Sequence, residues 1–286
     1  MKVSVILPTY NRANMLTEAI DSALNQTFKD FELIIINNYS TDNTESVVKS
    51  YDDKRIRYFK NRNNGLVSVN RNYGIQKSRG EYTAFLDDDD LWLPEKLEKQ
   101  VKLLDSNKEL GLVYSGSHVI DNKGNLIRHT YFRGIKPCRG DVFNELLVSN
   151  FIPQLTVLVR RETLDKVGKF DTKYKIAQDY DLWLRIAAHY QVDFIDQPLA
   201  KYRFHKDGAS QKEMIRSFQE EILAKECWLN KDQSLRKEIG GRIKRRKTLL
   251  YSGMILMSGV NIFKEHNIKS IRAFWDLVKY LARAKT

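Results

Sequence analysis

The chain of 286 residues is 42% hydrophobic and 29% charged, a composition typical of globular proteins with a substantial buried core. Its two cysteines, Cys138 and Cys227, indicate neither a disulfide framework nor a cysteine zinc site, and we expect buried thiols in a reducing cytoplasm. The longest uncharged stretch, residues 248–263, is shorter than the about 20 residues that cross a bilayer, so no membrane-spanning helix is predicted.

The net charge of +12 is concentrated near the C-terminus. Residues 231–286 contain fourteen Lys and Arg against four Asp and Glu, which gives +10 there and leaves +2 for the rest. A localised basic surface indicates an anionic partner, either phospholipid headgroups or nucleic acid. A solvated helical face explains the same pattern, so both interpretations stay open.

Six short apolar runs rich in branched residues predict β-strands at 3–7, 33–36, 56–59, 82–86, 112–114 and 156–159. Helical patterns lie between the first four runs, with apolar residues recurring at spacings of three and four, as in Leu16, Ala19, Ile20, Ala23 and Leu24. This alternation predicts an α/β fold whose mostly parallel sheet is covered by helices on both faces. After about residue 210 the pattern changes to long basic helices without convincing strands.

Three polar loops follow predicted strands, at residues 8–12, 37–42 and 87–90. Ligands of parallel sheets bind at the carboxyl ends of the strands, near the point where strand order reverses. We therefore expect these loops to converge on one cleft.

The third loop consists of four consecutive aspartates, Asp87 to Asp90. If the preceding strand continued, Asp87 and Asp89 would project to one side and Asp88 to the other. Such oxygen ligands suit Mg²⁺ or Mn²⁺, which completes its shell with substrate phosphates and water. The alternative is that Asp90 caps a helix beginning at Leu91, while the other acids are solvated.

A second candidate is Asp179, at the start of the predicted helix QDYDLWLRIA. A helix N-terminus favours an ionised carboxylate, which can accept a proton from a hydroxyl. A plain N-cap is the alternative interpretation. Histidines are scattered, and of the five only His205 lies in a polar loop.

Near the C-terminus a basic amphipathic helix is predicted around Ile268, Ile271, Phe274, Trp275, Val278 and Leu281. Its aromatic and basic residues suit a membrane interface. Packing of the same apolar face against the body of the protein is equally compatible with the pattern.

Taken together, four motifs resemble those of family 2 glycosyltransferases with the GT-A fold. They are VSVILPTYNR, ELIIINNYSTDNT, NRNYGIQKSRGEYTAFLDDDDLW, and the pair AQDYDLWLRIA and YRFH. The resemblance implies a catalytic domain over residues 1–210, with a Rossmann-like nucleotide-sugar half at about 1–120 and an acceptor half at about 121–210. Residues 211–286 would form a basic helical C-terminal region.

The resemblance also implies roles for individual residues. The nucleotide-sugar would be held by Pro8, Thr9, Tyr10, Asn38, Arg71, Asp87 and Asp88. Asp89 would be the direct ligand of Mn²⁺ or Mg²⁺, assisted by Asp87 and His205, and Asp179 would be the general base.

Two of the motifs depart from the usual pattern of the family. Asn37 and Asn38 replace the usual Asp-Asp or Asp-Asn in the loop that would bind the base, and Gln178 stands where Glu usually precedes the catalytic Asp. The Gln-x-x-Arg-Trp motif of processive synthases is missing, which favours addition of a single sugar.

These observations predict an inverting, metal-dependent transferase that takes a UDP-linked sugar and extends a bacterial surface glycan or lipid-linked oligosaccharide. The enzyme would be cytoplasmic, with the basic tail against the inner face of the membrane, and an oligomer is compatible with the sequence. Nucleic acid is the less favoured anionic partner. Two other classes stay open: a nucleotide-sugar binding protein without turnover, and a metal-dependent phosphohydrolase or nuclease, which would need a second acidic cluster.

Overall fold

The computed structural model describes residues 1–129, 136–205, 208 and 213–245. Its strands are β1 (Val3–Thr9), β2 (Phe31–Asn37), β3 (Ile56–Lys60), β4 (Tyr82–Phe85), β5 (Leu91–Trp92), β6 (Leu110–Ile120), β7 (Leu126–Arg128), β8 (Leu158–Arg160) and β9 (Gln191–Arg203). Its helices are α1 (Ala13–Leu24), α2 (Thr44–Lys49), α3 (Val67–Lys77), α4 (Lys96–Ser106), α5 (Phe143–Val148), α6 (Arg161–Val167), α7 (Gln178–Ala187) and α8 (Met214–Lys231). Residues 233–245 are also helical, and a 3₁₀ turn covers Gln154–Thr156.

Within the described residues the strands form one mixed sheet in the order β3-β2-β1-β4-β8-β6-β9-β5, with β7 paired to β6. The strands β3, β2, β1 and β4 are parallel, as the alternation of strands and helices predicts. The chain runs outward from β1 to β3 and then returns to place β4 on the other side of β1. The reversal of strand order therefore lies between β1 and β4, and ligands are expected at their carboxyl ends.

The strands β1 and β2, in the middle of the parallel half of the sheet, are buried along their whole length because helices cover both faces. All seven residues of β1 and all seven of β2 are buried, as is normal for continuous apolar runs in a parallel sheet. On α1 the buried stripe consists of Leu16, Ala19, Ile20 and Ala23, which confirms the spacing of three and four.

A charged network ties together the amino-terminal ends of these strands. The carboxylate of Glu32 accepts hydrogen bonds from the Ser4 hydroxyl at 2.6 Å, from the Arg57 guanidinium at 2.5 Å and from the Arg79 amide at 2.7 Å. Gly80 approaches so closely that a Cβ there would lie 2.6 Å from the Ser4 amide nitrogen. The start of β4 is therefore locked against β1 and β2.

The sequence-based prediction of a helix from Leu91 is wrong. Leu91 and Trp92 form β5, which pairs antiparallel with β9, and α4 begins only at Lys96. The strand β9 itself was not predicted, because its sequence QVDFIDQPLAKYR carries charges and a proline. Pro198 lies opposite Gly116 at a register shift, where an irregular strand tolerates proline.

The described helices beyond residue 210 pack on the body of the protein. Ala224 and Leu229 of α8 and three residues of the segment 233–245 belong to one hydrophobic cluster with β6 and α7, namely Leu235, Ile239 and Ile243. None of the helices in the described part is long and apolar enough to cross a bilayer. The amphipathic helix predicted at 268–281 lies outside the described residues, and the boundary at residue 210 stays a prediction.

Candidate active site

A cleft of about 500 Å³ opens at the carboxyl ends of β1, β2 and β4. All eight residues predicted to hold the nucleotide-sugar or metal from the first three motifs line it: Pro8, Thr9, Tyr10, Asn38, Arg71, Asp87, Asp88 and Asp89. The three polar loops therefore converge on one cleft, as the parallel sheet predicts.

A smaller cavity of about 130 Å³ adjoins this cleft. Asp179 lines it together with residues 150–155. Both spaces share Asp87, Asp90 and Tyr202 as walls, so Asp179 and the acidic run face one continuous site.

The acidic run is a turn and not an extension of β4, which ends at Phe85. The Asp90 amide donates to the Asp87 carbonyl at 3.2 Å, so the expected alternation of side chains does not occur. Asp87 instead accepts a hydrogen bond at 2.6 Å from Arg71, whose side chain is only 3% exposed. In the part of the chain that the structure describes, Arg71 Nε and Nη1 have no hydrogen-bond partner, so two buried donors remain beside the cleft.

Arg12 bridges the next two carboxylates. Its Nη1 atom lies 3.5 Å from Asp88 Oδ1 and in direct contact with Asp89 Oδ2. Asp88 also accepts the Tyr10 amide at 3.3 Å. Burial, reinforced by the charge of Asp89, raises the pKa of Asp88 to about 7.

Asp89 also meets His205, whose Nε2 lies 3.0 Å from Asp89 Oδ2. Burial would raise the pKa of Asp89, but the hydrogen bond from His205 and the charge of Arg12 together lower it below its ordinary value. Asp89 is therefore ionised, with a histidine nitrogen alongside.

Asp90 does not cap a helix. Its Oδ1 accepts the amide of Arg203, the last residue of β9, at 2.8 Å. Burial raises the pKa of Asp90 well above its ordinary value. The Arg203 guanidinium in turn donates to the Asp89 carbonyl and to Glu18, both at 2.8 Å, so the end of β9 is fixed to the acidic turn.

The two asparagines after β2 have different surroundings. Asn37 is buried and bonds internally, through its amide nitrogen to the Tyr58 hydroxyl and through its amide oxygen to the Ser40 amide. Asn38 lines the cleft, and its oxygen accepts the Asn63 amide at 2.9 Å. This bond orients the carboxamide, so that its NH₂ group is the part left for a ligand.

Asp179 lies in the first turn of α7, whose N-cap residue is Ala177, so the plain N-cap interpretation is wrong. Asp179 Oδ1 accepts the Tyr180 amide at 2.8 Å. Burial raises the pKa of Asp179 to about 6, while this hydrogen bond and the charge of Arg71 oppose the rise. A carboxylate with such a pKa is ionised at neutral pH and still basic enough to take a proton.

The backbone that leads into α7 is held by α8. The Glu220 carboxylate accepts the amides of Lys175 at 3.0 Å, Ile176 at 2.8 Å and Ala177 at 3.0 Å. This contact positions the turn two residues before Asp179. It has no local sequence signal, because it joins segments more than forty residues apart.

The donor atoms present fit a divalent ion that arrives with a diphosphate. Asp89 offers ionised oxygens beside a histidine nitrogen, yet among the described residues no group of three or more His, Cys, Asp or Glu could enclose an ion. Mg²⁺ and Mn²⁺ often take only one or two protein ligands and complete their shell with phosphate oxygens and water.

Sequence reasoning missed several residues of the site. Arg12 belongs to the PTYNR motif and Arg203 to the YRFH motif, so their positions were visible although their roles were not. Residues 150–155 carry no recognisable signal, and only the fold brings them to Asp179.

Comparison with known proteins places this site in a family. Residues 4–168 match the family described as glycosyl transferase family 2. The chain therefore belongs to glycosyltransferase family 2, and its mixed sheet has the GT-A fold.

Two relatives illustrate the range of the match. An uncharacterised glycosyltransferase of Rickettsia felis is 39% identical over 220 residues, covering 73% of this chain but only 35% of the relative. The Escherichia coli protein WfgD, a UDP-Glc:α-D-GlcNAc-diphosphoundecaprenol β-1,3-glucosyltransferase, is 30% identical over 210 residues, covering 73% of this chain and 79% of WfgD. The chain thus spans about a third of the length of the rickettsial relative.

Solved structures share the fold at low identity. Staphylococcus aureus TarS 1-349 in complex with UDP-GlcNAc superposes with a TM-score of 0.70 at 16% identity, covering 97% of this chain and 79% of TarS 1-349. Pyrobaculum calidifontis mannosyltransferase PcManGT, in complex with GDP-Man and Mn²⁺, gives a TM-score of 0.59 at 18% identity, covering 99% of this chain and 86% of PcManGT.

Proposed function

We propose that this chain transfers a sugar from a UDP-sugar, with inversion and with a divalent metal ion, to a hydroxyl of a glycan or lipid-linked oligosaccharide in surface polysaccharide synthesis. One observation carries the proposal: the cleft with the acidic run and the cavity with Asp179 have three lining residues in common. A donor in the cleft and an acceptor hydroxyl in the cavity would meet where the two spaces join.

The nucleotide would occupy the cleft between the β1 and β2 loops. The Asn38 NH₂ group can donate to uracil O4, and the free donors of Arg71 can meet the phosphates or ribose. UDP is favoured because TarS binds UDP-GlcNAc in its solved structure and WfgD is a UDP-Glc-dependent glucosyltransferase. Asp87 and Asp88 line the same cleft, and they would help to hold the nucleotide-sugar.

Asp89 and His205 would hold the metal ion, with Asp87 nearby. The ion would supply positive charge to the departing diphosphate. Support comes from the donor atoms of this pair and from the Mn²⁺ that accompanies the donor in PcManGT.

Asp179 would act as the general base. Inversion requires the hydroxyl to attack the anomeric carbon from the side opposite the leaving group, so base and diphosphate belong at opposite ends of the sugar. Asp179 and Asp89 line different parts of the joined site, which supports this arrangement.

The acceptor and location are proposed from the charge of the chain and one relative. WfgD takes an undecaprenol-linked diphosphate acceptor, and residues 231–286 of this chain carry a net charge of +10. A cytoplasmic enzyme whose basic C-terminal region contacts anionic lipid would reach such an acceptor at the inner face of the membrane. Sedimentation with liposomes of increasing anionic lipid content tests this, and binding that ignores the anionic fraction would contradict it.

The test of the activity is nucleotide release from UDP-, dTDP- and GDP-sugars, with Mn²⁺ and a GlcNAc-diphosphate-polyprenol acceptor. We expect UDP release that requires both acceptor and metal. Asp179→Asn should lower the rate by about 10² to 10⁴ while leaving UDP binding unchanged by titration calorimetry.

The matched control is Asp171→Asn. Asp171 is a surface carboxylate shortly before α7 that pairs with Lys173 at 2.7 Å, and its loss should leave transfer near the original rate. Unchanged transfer in Asp179→Asn would contradict the proposed base. Metal-dependent UDP binding without release from any donor would favour a binding protein without turnover.

A further inference from the structure

Three arginines compensate the charge of the acidic turn. Arg71 pairs with Asp87, Arg12 with Asp88 and Asp89, and Arg203 holds the Asp89 carbonyl and the Asp90 carboxylate through its guanidinium and amide. These contacts therefore reduce the repulsion among the four aspartates without any metal ion.

Two of these arginines are fixed in place. The side chains of Arg71 and Arg203 are 3% and 1% exposed. Arg71 packs over the Phe170 ring, and Arg203 is also bonded to Glu18. Neither can leave without creating a buried unpaired charge.

Arg12 differs from both in exposure. Its side chain is 24% exposed and lines the cleft, and it follows Asn11, which has a φ of 51° at the end of the β1 loop. As the N-cap residue of α1, Arg12 makes no side-chain cap hydrogen bond. The guanidinium of Arg12 therefore does not cap helix α1.

Arg12 contacts the same Asp89 oxygen that lies 3.0 Å from His205 Nε2. A divalent ion bound by Asp89 and His205 would need this position. A guanidinium and a divalent cation at one carboxylate oxygen would repel each other strongly, because the site is largely removed from water.

We propose that Arg12 is an exchangeable internal counterion: it occupies the Asp89 carboxylate in the free protein and is displaced by the divalent metal ion. The released guanidinium, which lines the cleft, then pairs with the diphosphate of the nucleotide. Metal and nucleotide would thus bind cooperatively, since each removes an obstacle to the other. This inference rests on the proposed metal-dependent function.

The experiment measures Mn²⁺ binding to the full chain by the electron paramagnetic resonance signal of the free ion, with and without UDP. For the unaltered protein we expect weak binding of Mn²⁺ alone and much tighter binding with UDP. Arg12→Ala should bind Mn²⁺ alone about tenfold more tightly, because the competing cation is gone. The gain in Mn²⁺ affinity on adding UDP should shrink in this variant.

Two further variants complete the design. Arg62→Ala removes an equal charge from an exposed arginine that packs over Tyr39, and it should change Mn²⁺ affinity less than about threefold. Arg12→Lys keeps the charge but not the forked geometry, so Mn²⁺ affinity should lie between those of the unaltered protein and Arg12→Ala. Circular dichroism establishes that each variant is folded.

The experiment distinguishes failure of the proposed metal dependence from failure of the proposed Arg12 exchange. If the unaltered protein binds no Mn²⁺ even with UDP, the proposed metal dependence fails and the exchange with it. If Mn²⁺ binds with UDP but Arg12→Ala binds the ion alone no more tightly than the unaltered protein, the exchange is overturned while the proposed function stands.

Discussion

Burial of Asp179 shifts its pKa, and its proposed role as a base depends on that pKa. Burial raises its pKa to about 6, and the base must be ionised to accept a proton. We expect the turnover rate to fall about tenfold for each pH unit below about 6 and to level off above it. Rates of UDP release across this pH range, with saturating donor and metal, test the prediction.

The pKa of Asp88 is raised to about 7, so its titration would add a second sloping limb to the pH–rate profile in the same range. Asp179→Asn separates the two, because its residual activity should lose the limb near pH 6 and keep any other. A limb near pH 6 that persists unchanged in Asp179→Asn would contradict its assignment to this carboxylate.

Single residues were predictable where their role follows from their place on a strand. Thr9, Asn38 and Asp87 come at or after the carboxyl ends of β1, β2 and β4, so the parallel sheet alone brings them to the cleft. Asp90 was misassigned because its partner is Arg203, 113 positions away, and no local pattern reports such a contact.

At the scale of elements, Glu32 is the unusual feature of β2. It is a charged residue in the buried strand FELIIIN, and three hydrogen bonds from Ser4, Arg57 and Arg79 compensate it. Burial would raise the pKa of Glu32, but the hydrogen bonds lower it below the ordinary value of 4.5. Its contribution to stability is therefore present at neutral pH and lost as the pH falls through the lowered pKa.

We expect Glu32→Ala to reduce the free energy of unfolding by about 3 kcal/mol, because it leaves Arg57 and the Arg79 amide without their acceptor. Urea denaturation monitored by circular dichroism measures the change. Glu45→Ala is the control, since Glu45 pairs with Lys49 and Lys60 at the surface and should matter little. Equal destabilisation by the two variants would contradict a special role for the buried network.

The four parallel strands and parts of β6 and β8 were predicted from the sequence, whereas β5, β7 and β9 were not. For β1 and β2 a nearly continuous apolar run is enough to predict the strand, since strands buried on both faces typically show this pattern. The strands β5 and β7 contain two and three residues, and β9 is interrupted by Pro198, so their pairing depends on distant segments. The segment 150–155 reaches the site for the same reason.

For the whole molecule, the described C-terminal helices and the catalytic core depend on each other. Glu220 of α8 holds the backbone that precedes Asp179, and Ala224 and Leu229 join the main hydrophobic cluster. We infer that the catalytic domain predicted over residues 1–210 relies on residues beyond that boundary.

Glu220→Ala should therefore lower the turnover number by roughly tenfold or more, because small misplacements of a catalytic group are costly. The affinity for UDP should stay unchanged, since the cleft does not include this contact. Gln219→Ala, at the exposed neighbouring position, is the control. A loss of UDP affinity equal to the loss of turnover would indicate general unfolding instead of displacement of Asp179.

The network of Ser4, Glu32 and Gly80 lies at the opposite end of the strands from the cleft. From Ser4 to Thr9 the strand rises about 17 Å, so this network and the loops that line the cleft are separated in space. Substitutions in the loops can accordingly alter donor or acceptor specificity without disturbing the network of Ser4, Glu32 and Gly80. Directed evolution of a new sugar specificity should begin with libraries at the loop end and leave the three anchor positions untouched.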